Sequence, residues 1–218
     1  MRSPLKKFHD FLTLSGIYFI TSDSFGYSHI DLAKIVLDAG IRIIQFRDKK
    51  MCTADLILIC KEIKELCETY NAILIVNDRV DIALACDADG VHLGKKDMPP
   101  NIARSIFDGI IGYSAKTLDD LNIFGDFVDY FGVGPVFPTS TKRDAGKVLG
   151  VEGLKRFKKA TSKPIVAIGG INKNNIVDVL KTGVDGIAVI SAIANSKDPK
   201  SSAKELLEIY RKFRNSKS

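Results

Sequence analysis

Residues 41–70, IRIIQFRDKKMCTADLILICKEIKELCETY, hold one complete folding unit. They open on a short β-branched run at 41–47, leave it through a polar exit, and continue as a helical pattern over 53–70. There Leu56, Ile59, Cys60, Ile63, Leu66 and Cys67 recur at the 3.6-residue period. Seven further extended runs, at 17–21, 73–77, 90–93, 109–114, 130–136, 164–169 and 186–191, repeat the theme. Helix-like segments separate them, among them 172–180 after a Gly pair and 201–213 with Ser201 or Ser202 as cap.

Eight strands, each followed by a helical segment, predict a parallel sheet of the α/β class. A doubly wound sheet would carry its ligand at a switch point, often with a Gly-rich turn after the first strand. Thr21-Ser22-Asp23-Ser24 follows the first strand instead, and the chain has no GxGxxG. A (β/α)8 barrel predicts polar residues gathered after many strands at one end, which is the pattern seen. No Pro/Gly/Ser-rich break interrupts the chain, so residues 1–218 read as a single TIM-barrel domain.

Composition narrows the function classes. Apolar residues make up 45% and charged residues 27%, ordinary for a globular protein with a sizeable core. The net charge of +6 comes from 32 Lys+Arg against 26 Asp+Glu, with clusters at Lys155–Lys163 and in the C-terminal tail. No aromatic-interleaved basic stripe or recognition motif accompanies it, so a nucleic-acid partner is not expected. The four cysteines, Cys52, Cys60, Cys67 and Cys86, show no CxxC spacing. Cys60 and Cys67 read as buried free thiols, which suggests a reducing compartment. Phe8-His9-Asp10 interrupts the apolar residues near the start, and no small-residue cleavage site follows. No run approaches the roughly 20 apolar residues of a membrane span. The expected address is the cytoplasm.

The strand exits carry the chemistry. Side chains alternate along a strand, so Gln45, Arg47 and Lys49 share one face, an amide and two cations suited to gripping an anion. The plain alternative is an ion-pair layer with Asp48. Asp78 follows the third strand in Asn77-Asp78-Arg79, and Asp97 follows the fourth in Lys95-Lys96-Asp97. Two hard carboxylates opposite a basic strand suit Mg²⁺, which takes one or two carboxylates plus phosphate oxygens and water. Asp78 taken alone also reads as a helix N-cap, and His92, inside the fourth strand, reads as a packed histidine. Ser114 is either an anion donor or the start of a helix. After the sixth strand, Thr139, Ser140, Thr141 and Lys142 begin a segment to Gly150 that reads as a mobile cover or a plain surface loop. Gly169-Gly170-Ile171 and Ile190-Ser191, after the last two strands, suit a phosphate at backbone N–H groups.

The ordered set Gln45-Phe46-Arg47-Asp48-Lys49, Asn77-Asp78-Arg79, Gly90-Val91-His92-Leu93-Gly94 with Asp97, Gly112-Tyr113-Ser114-Ala115, Gly134-Pro135-Val136-Phe137-Pro138-Thr139-Ser140-Thr141-Lys142, Ile168-Gly169-Gly170-Ile171 and Ile190-Ser191 resembles the thiamine-phosphate synthase family. The resemblance covers nearly the whole chain. It implies transfer of an aminopyrimidine methyl group from its diphosphate to the nitrogen of a thiazole phosphate, releasing pyrophosphate. It also implies roles. Gln45, Arg47, Lys49, Asn77, Ser114 and Lys142 would hold the pyrimidine diphosphate, and Thr139, Thr141, Gly170, Ile190 and Ser191 the thiazole phosphate. Asp78 and Asp97 would bind Mg²⁺. No covalent nucleophile is expected, the partners are small molecules rather than nucleic acid or membrane, and a homo-oligomer is compatible. Two positions depart from the family pattern: Lys116 stands where His is usual, and Lys96 where an acidic residue is more common. The first weighs against a thiazole tautomerase, the nearest alternative; a non-catalytic ligand-binding regulator is the other.

Overall fold

A computed structural model describes residues 3–139, 141 and 146–216. Eight strands form a closed parallel barrel: β1 Ile17–Ile20, β2 Ile43–Phe46, β3 Ile73–Asn77, β4 Gly90–Leu93, β5 Ile110–Ala115, β6 Tyr130–Val133, β7 Ile165–Ile168 and β8 Gly186–Val189. The helices are α1 Pro4–Leu14, α2 His29–Ala39, α3 Thr53–Thr69, α4 Val80–Ala85, α5 Pro100–Ile106, α6 Leu118–Phe124, α7 Gly150–Ala160, α8 Ile176–Leu180, α9 Ser191–Ala194 and α10 Pro199–Asn215. Each strand pairs with its sequence neighbour, and β1 closes on β8 with Ile17 opposite Ile187. The α/β barrel expected from the alternation is the one observed.

Strand parity divides the core in two. Phe19, Ile44, Leu74, Val91, Ile111, Phe131, Ala167 and Ile187 face outward and pack under the helices. Tyr18, Ile20, Ile43, Ile73, Ile75, Ile110, Tyr130, Val166 and Ala188 fill the interior. The barrel is therefore a packed core with one open end. The other end is plugged by α1, whose Leu5, Phe8 and Leu12 follow the helical period. Phe8 is fully buried, its ring centroid 4.8 Å from that of Tyr130. Ser3 caps this helix by accepting from the Lys6 N–H, and Pro4 sits where a missing N–H costs nothing.

One device repeats three times at the plugged end. Asp89, Asp129 and Asp185 directly precede β4, β6 and β8. Each carboxylate accepts, at 2.8 Å, the N–H at or beside the start of the preceding strand, from Leu74, Ile111 and Ile165. Each also takes a cation from the preceding odd-numbered helix: Lys64 at 3.3 Å, Arg104 at 2.6 Å and Lys158 at 2.6 Å. The ladder bonds missing at the strand ends are thereby supplied by side chains. The closing seam has its own brace. Tyr210 of α10 lies over Gly16, where any Cβ would occupy the ring's place, and its Oη donates to Leu12 O at 2.8 Å with Asp185 O at 3.2 Å.

Several boundaries shift from the sequence reading. β6 ends at Val133 because Pro135, two residues on, has no N–H to continue the ladder. The 172–180 segment is helical only from Ile176. Asn175 accepts the Asn172 N–H through its side chain and holds the first residues as a turn. The last helix starts at Pro199 under an Asp198 cap, which accepts from the Ser201 N–H, so neither Ser201 nor Ser202 is the cap.

Candidate active site

A cavity of about 340 Å³ opens at the C-terminal ends of the strands. On β2, Gln45 faces the interior and is 3% exposed; Arg47 and Lys49 continue on its side and line the cavity. Asp48 turns the opposite way. Its Oδ1 accepts the N–H groups of Lys50 and Met51, both at 2.7 Å, and its Oδ2 lies 3.2 Å from His29 Nε2. Burial pushes the Asp48 carboxyl up, but those two N–H groups and His29 outweigh it, leaving it below its ordinary value. His29 Nδ1 meets Thr21 Oγ1 at 2.7 Å, and Thr21 Oγ1 also accepts the Arg47 N–H at 3.2 Å. Asp48 is thus held by His29 and two backbone N–H groups and not by Arg47 or Lys49, so the ion-pair layer weighed against an anion clamp is not what forms, and both cations line the cavity.

Across from them stand the carboxylates. Asp78 sits at φ 64°, a left-handed conformation that Asp tolerates better than most residues. It does not cap α4, whose N-cap Arg79 makes no side-chain capping bond; its Oδ2 pairs with Lys49 Nζ at 3.2 Å. Asp97 Oδ2 accepts the Gly94 N–H at 2.7 Å. Burial first, and then a hydrogen bond with Asp78, push the Asp97 carboxyl up to about 6, against the pull of the Gly94 N–H. Two carboxyls close enough to share a proton form a site that a cation relieves. Both offer hard oxygens, so the donor set fits Mg²⁺. Among the described residues no group of three or more His, Cys, Asp or Glu forms a metal cluster, so further ligands would come from substrate and water.

Beneath the mouth, inward-facing polar groups join across the barrel. Gln45 Nε2 donates to Tyr18 Oη at 2.9 Å, and Tyr18 Oη lies 2.9 Å from Tyr130 Oη. Tyr130 Oη lies 3.0 Å from His92 Nδ1, and His92 Nε2 lies 2.9 Å from Ser114 Oγ. Gly112 makes this possible, because a Cβ there would enter the Tyr130 ring. Asn77 Nδ2, by contrast, is buried and finds no hydrogen-bond partner among the described residues, a donor that a ligand in the cavity can satisfy.

The far wall comes from β6, β7 and β8. Thr141 Oγ1 donates to Ser191 Oγ at 3.3 Å, and Thr139 Oγ1 accepts the Thr141 N–H at 3.3 Å. Gly170 has φ 64°, and a Cβ there would lie 2.5 Å from Pro138 O; only glycine lets the two loops meet. Asn175 Nδ2 holds Gly170 O at 2.9 Å. Thr139, Thr141, Gly170, Ile190 and Ser191 all line the cavity, as do Gln45, Arg47, Lys49, Asn77, Asp78, Asp97 and Ser114. Lys142 lies outside the described residues. Among the lining side chains outside the sequence candidates, three follow the inward parity of their strands: Tyr18, Tyr130 and Lys116. Lys116 was noted only as a departure; its Nζ donates to Gly134 O at 3.3 Å. Strand parity would have found all three.

The family model described as thiamine monophosphate synthase matches residues 17–193, the whole span from β1 to α9. The chain belongs to this family. It is 51% identical to the thiamine-phosphate synthase of Archaeoglobus fulgidus over 96% of its own length and 99% of the relative's. It is 46% identical to that of Clostridium botulinum strain Loch Maree over 88% and 96%. Its fold is similar to that of thiamine phosphate pyrophosphorylase from Pyrococcus furiosus, with a TM-score of 0.85 and 40% identity over 94% of this chain and 98% of the other. Among the described residues no helix is long and apolar enough to cross a membrane.

Proposed function

We propose that this transferase of thiamine biosynthesis joins an aminopyrimidine methyl diphosphate to a thiazole phosphate, giving thiamine phosphate and pyrophosphate, and that Asp78 and Asp97 would hold Mg²⁺. One observation carries the reading. A cation-and-carboxylate wall, Arg47, Lys49, Asp78 and Asp97, faces a glycine-and-hydroxyl wall, Gly170, Thr141 and Ser191, across one cavity of about 340 Å³. Such a space accommodates a diphosphate and a monophosphate on opposite sides, the requirement for joining two phosphorylated substrates.

Departure of pyrophosphate concentrates negative charge on the leaving group. Arg47 and Lys49 stabilise that charge where it grows, and fixed cations in a partly dry cavity do so with little reorganisation. Bound at the two carboxylates, Mg²⁺ would add Lewis-acid neutralisation of the same oxygens. Asn77 Nδ2 supplies a donor, and Gln45 and Ser114 orient the pyrimidine. Thr139, Thr141, Ser191 and the backbone at Gly170 and Ile190 seat the thiazole phosphate so that its ring nitrogen faces the methylene carbon. Holding both partners in this order converts a bimolecular encounter into an oriented one. An electron-rich aminopyrimidine stabilises a transient methyl cation, the thiazole nitrogen is the nucleophile, and no side chain forms a covalent bond. Lys142 belongs to the pyrimidine diphosphate set in this reading.

Purified protein supplied with both substrates and Mg²⁺ is expected to form thiamine phosphate and pyrophosphate, and to stop on addition of a chelator. Folded, metal-loaded protein that makes neither product would overturn the reading.

A further inference from the structure

The chain of hydrogen bonds under the cavity has a direction. Gln45 Nε2 can only donate, so Tyr18 Oη accepts from it. The Tyr18 proton then goes to Tyr130 Oη, 2.9 Å away. The Tyr130 proton in turn points to His92 Nδ1. A nitrogen that accepts carries no proton, so the neutral ring is protonated at Nε2, and Nε2–H donates to Ser114 Oγ. With one lone pair occupied from below, the Ser114 hydroxyl proton is left for the cavity that Ser114 lines. The reverse sense would make Tyr18 accept twice, from Gln45 and from Tyr130. Its own proton would then lack an acceptor among the described side chains, a costly arrangement for a residue 1% exposed.

We propose that Tyr18, Tyr130 and His92 are positioning residues that fix Ser114 as a hydrogen-bond donor toward the pyrimidine diphosphate. The inference deepens the reading of the preceding section and rests on it for the identity of that substrate. Three features suit the role. Tyr18 and Tyr130 are each 1% exposed, so water does not compete for their hydroxyls. Burial pushes both phenols far above their ordinary range, so they stay neutral hydrogen-bonding dipoles. The five residues come from β2, β1, β6, β4 and β5, so only the closed barrel assembles them. The floor of the cavity thereby transmits its order to one hydroxyl at the reacting end.

The first test needs no turnover. The chain has three histidines, His9, His29 and His92, so ¹⁵N-labelled imidazole resonances can be assigned with single His→Gln variants. Nitrogen–proton correlation spectra at pH 7 should show His92 neutral with its proton on Nε2. A proton on Nδ1, or an imidazolium, overturns the proposed direction whether or not the protein turns over, so its failure is separable from failure of the synthase reading. The second test is a double-mutant cycle. Tyr130→Phe keeps the ring that packs on Phe8 and should raise KM for the pyrimidine diphosphate about three- to tenfold, the worth of one ordered hydrogen bond. KM for the thiazole phosphate should not change. In a Ser114→Ala background, Tyr130→Phe should add nothing further. Equal effects in both backgrounds, or equal effects on both KM values, would mean that Tyr130 only supports the fold.

Discussion

Aspartates serve both ends of the barrel, and their surroundings differ in kind. At the plugged end, Asp89, Asp129 and Asp185 each hold one strand N–H and one helix cation. At the open end, Asp78 and Asp97 face each other, and burial and that neighbour hold the Asp97 carboxyl up near 6. The first group completes ladders; in the second, burial and then the neighbouring Asp78 carboxyl disfavour the charged form of Asp97. A carboxylate's partners, more than its identity, therefore separate the residues that keep the barrel closed from those that line its mouth. The same contrast runs through the cations, since Lys64, Arg104 and Lys158 are tied to structure, whereas Arg47 and Lys49 line the cavity.

The contrast can be broken most forcefully at the mouth. Asp78→Asn keeps the side-chain volume, and Asn tolerates φ 64° as readily as Asp. Its kcat/KM should fall by about 10²–10³, on the order of 3–4 kcal/mol, the scale of one electrostatic element of an active site. Urea unfolding should move by less than about 0.5 kcal/mol. Unchanged rate and Mg²⁺ dependence in the folded variant would remove Asp78 from the ligand set. At the floor, Asp89→Ala should do the opposite. It leaves the buried Leu74 N–H without its acceptor and Lys64 without its main partner, costing about 2–3 kcal/mol in urea unfolding. KM for both substrates should stay within a factor of about two; a selective rise in either would blur the division between the two ends.

The smallest effect sharpens the comparison through pH. The folded-state pKa of Asp97 lies near 6, above the 3.8 of an unperturbed Asp. Its contribution to the stability of the metal-free protein is therefore fully present below about pH 4 and lost as pH rises through 6. Asp97 is partly open to solvent, so screening reduces this to about 1 kcal/mol or less. Stability measured by urea between pH 4 and 7 in a chelator should decline accordingly, and Mg²⁺ should flatten the decline. The same slope in an Asp97→Asn variant would assign it to other groups.

The barrel was legible because its signal is local and repeated: β-branched runs, helical spacing after each, and polar exits at one end. The mouth was legible for a related reason. Parity along β2 carries Gln45 inward and sends Arg47 and Lys49 after it, and no long-range information is needed. The interior chain was not legible. Tyr18 and Tyr130 are single aromatics in apolar strands, and their pairing depends on a register that places residues 112 positions apart at 2.9 Å. The plug was hidden differently: Leu5, Phe8 and Leu12 give an amphipathic spacing, yet nothing local tells an isolated helix where to dock. The capping role of Asp78 failed because Lys49, 29 positions back, competes for its carboxylate.

The seam between β1 and β8 bears on how the chain is made. Tyr18 finds Ile43 early, but its other neighbour, Ala188, is among the last strand residues to leave the ribosome. At ordinary rates of elongation the outer edge of β1 waits on the order of ten seconds for its partner. Through that interval it is an unpaired strand edge in an apolar sequence, open to wrong partners. Tyr210 arrives later still, so the brace over Gly16 is set only after β8 is available. Closure thus waits for β8, and nascent forms that lack it leave the outer edge of β1 unpaired.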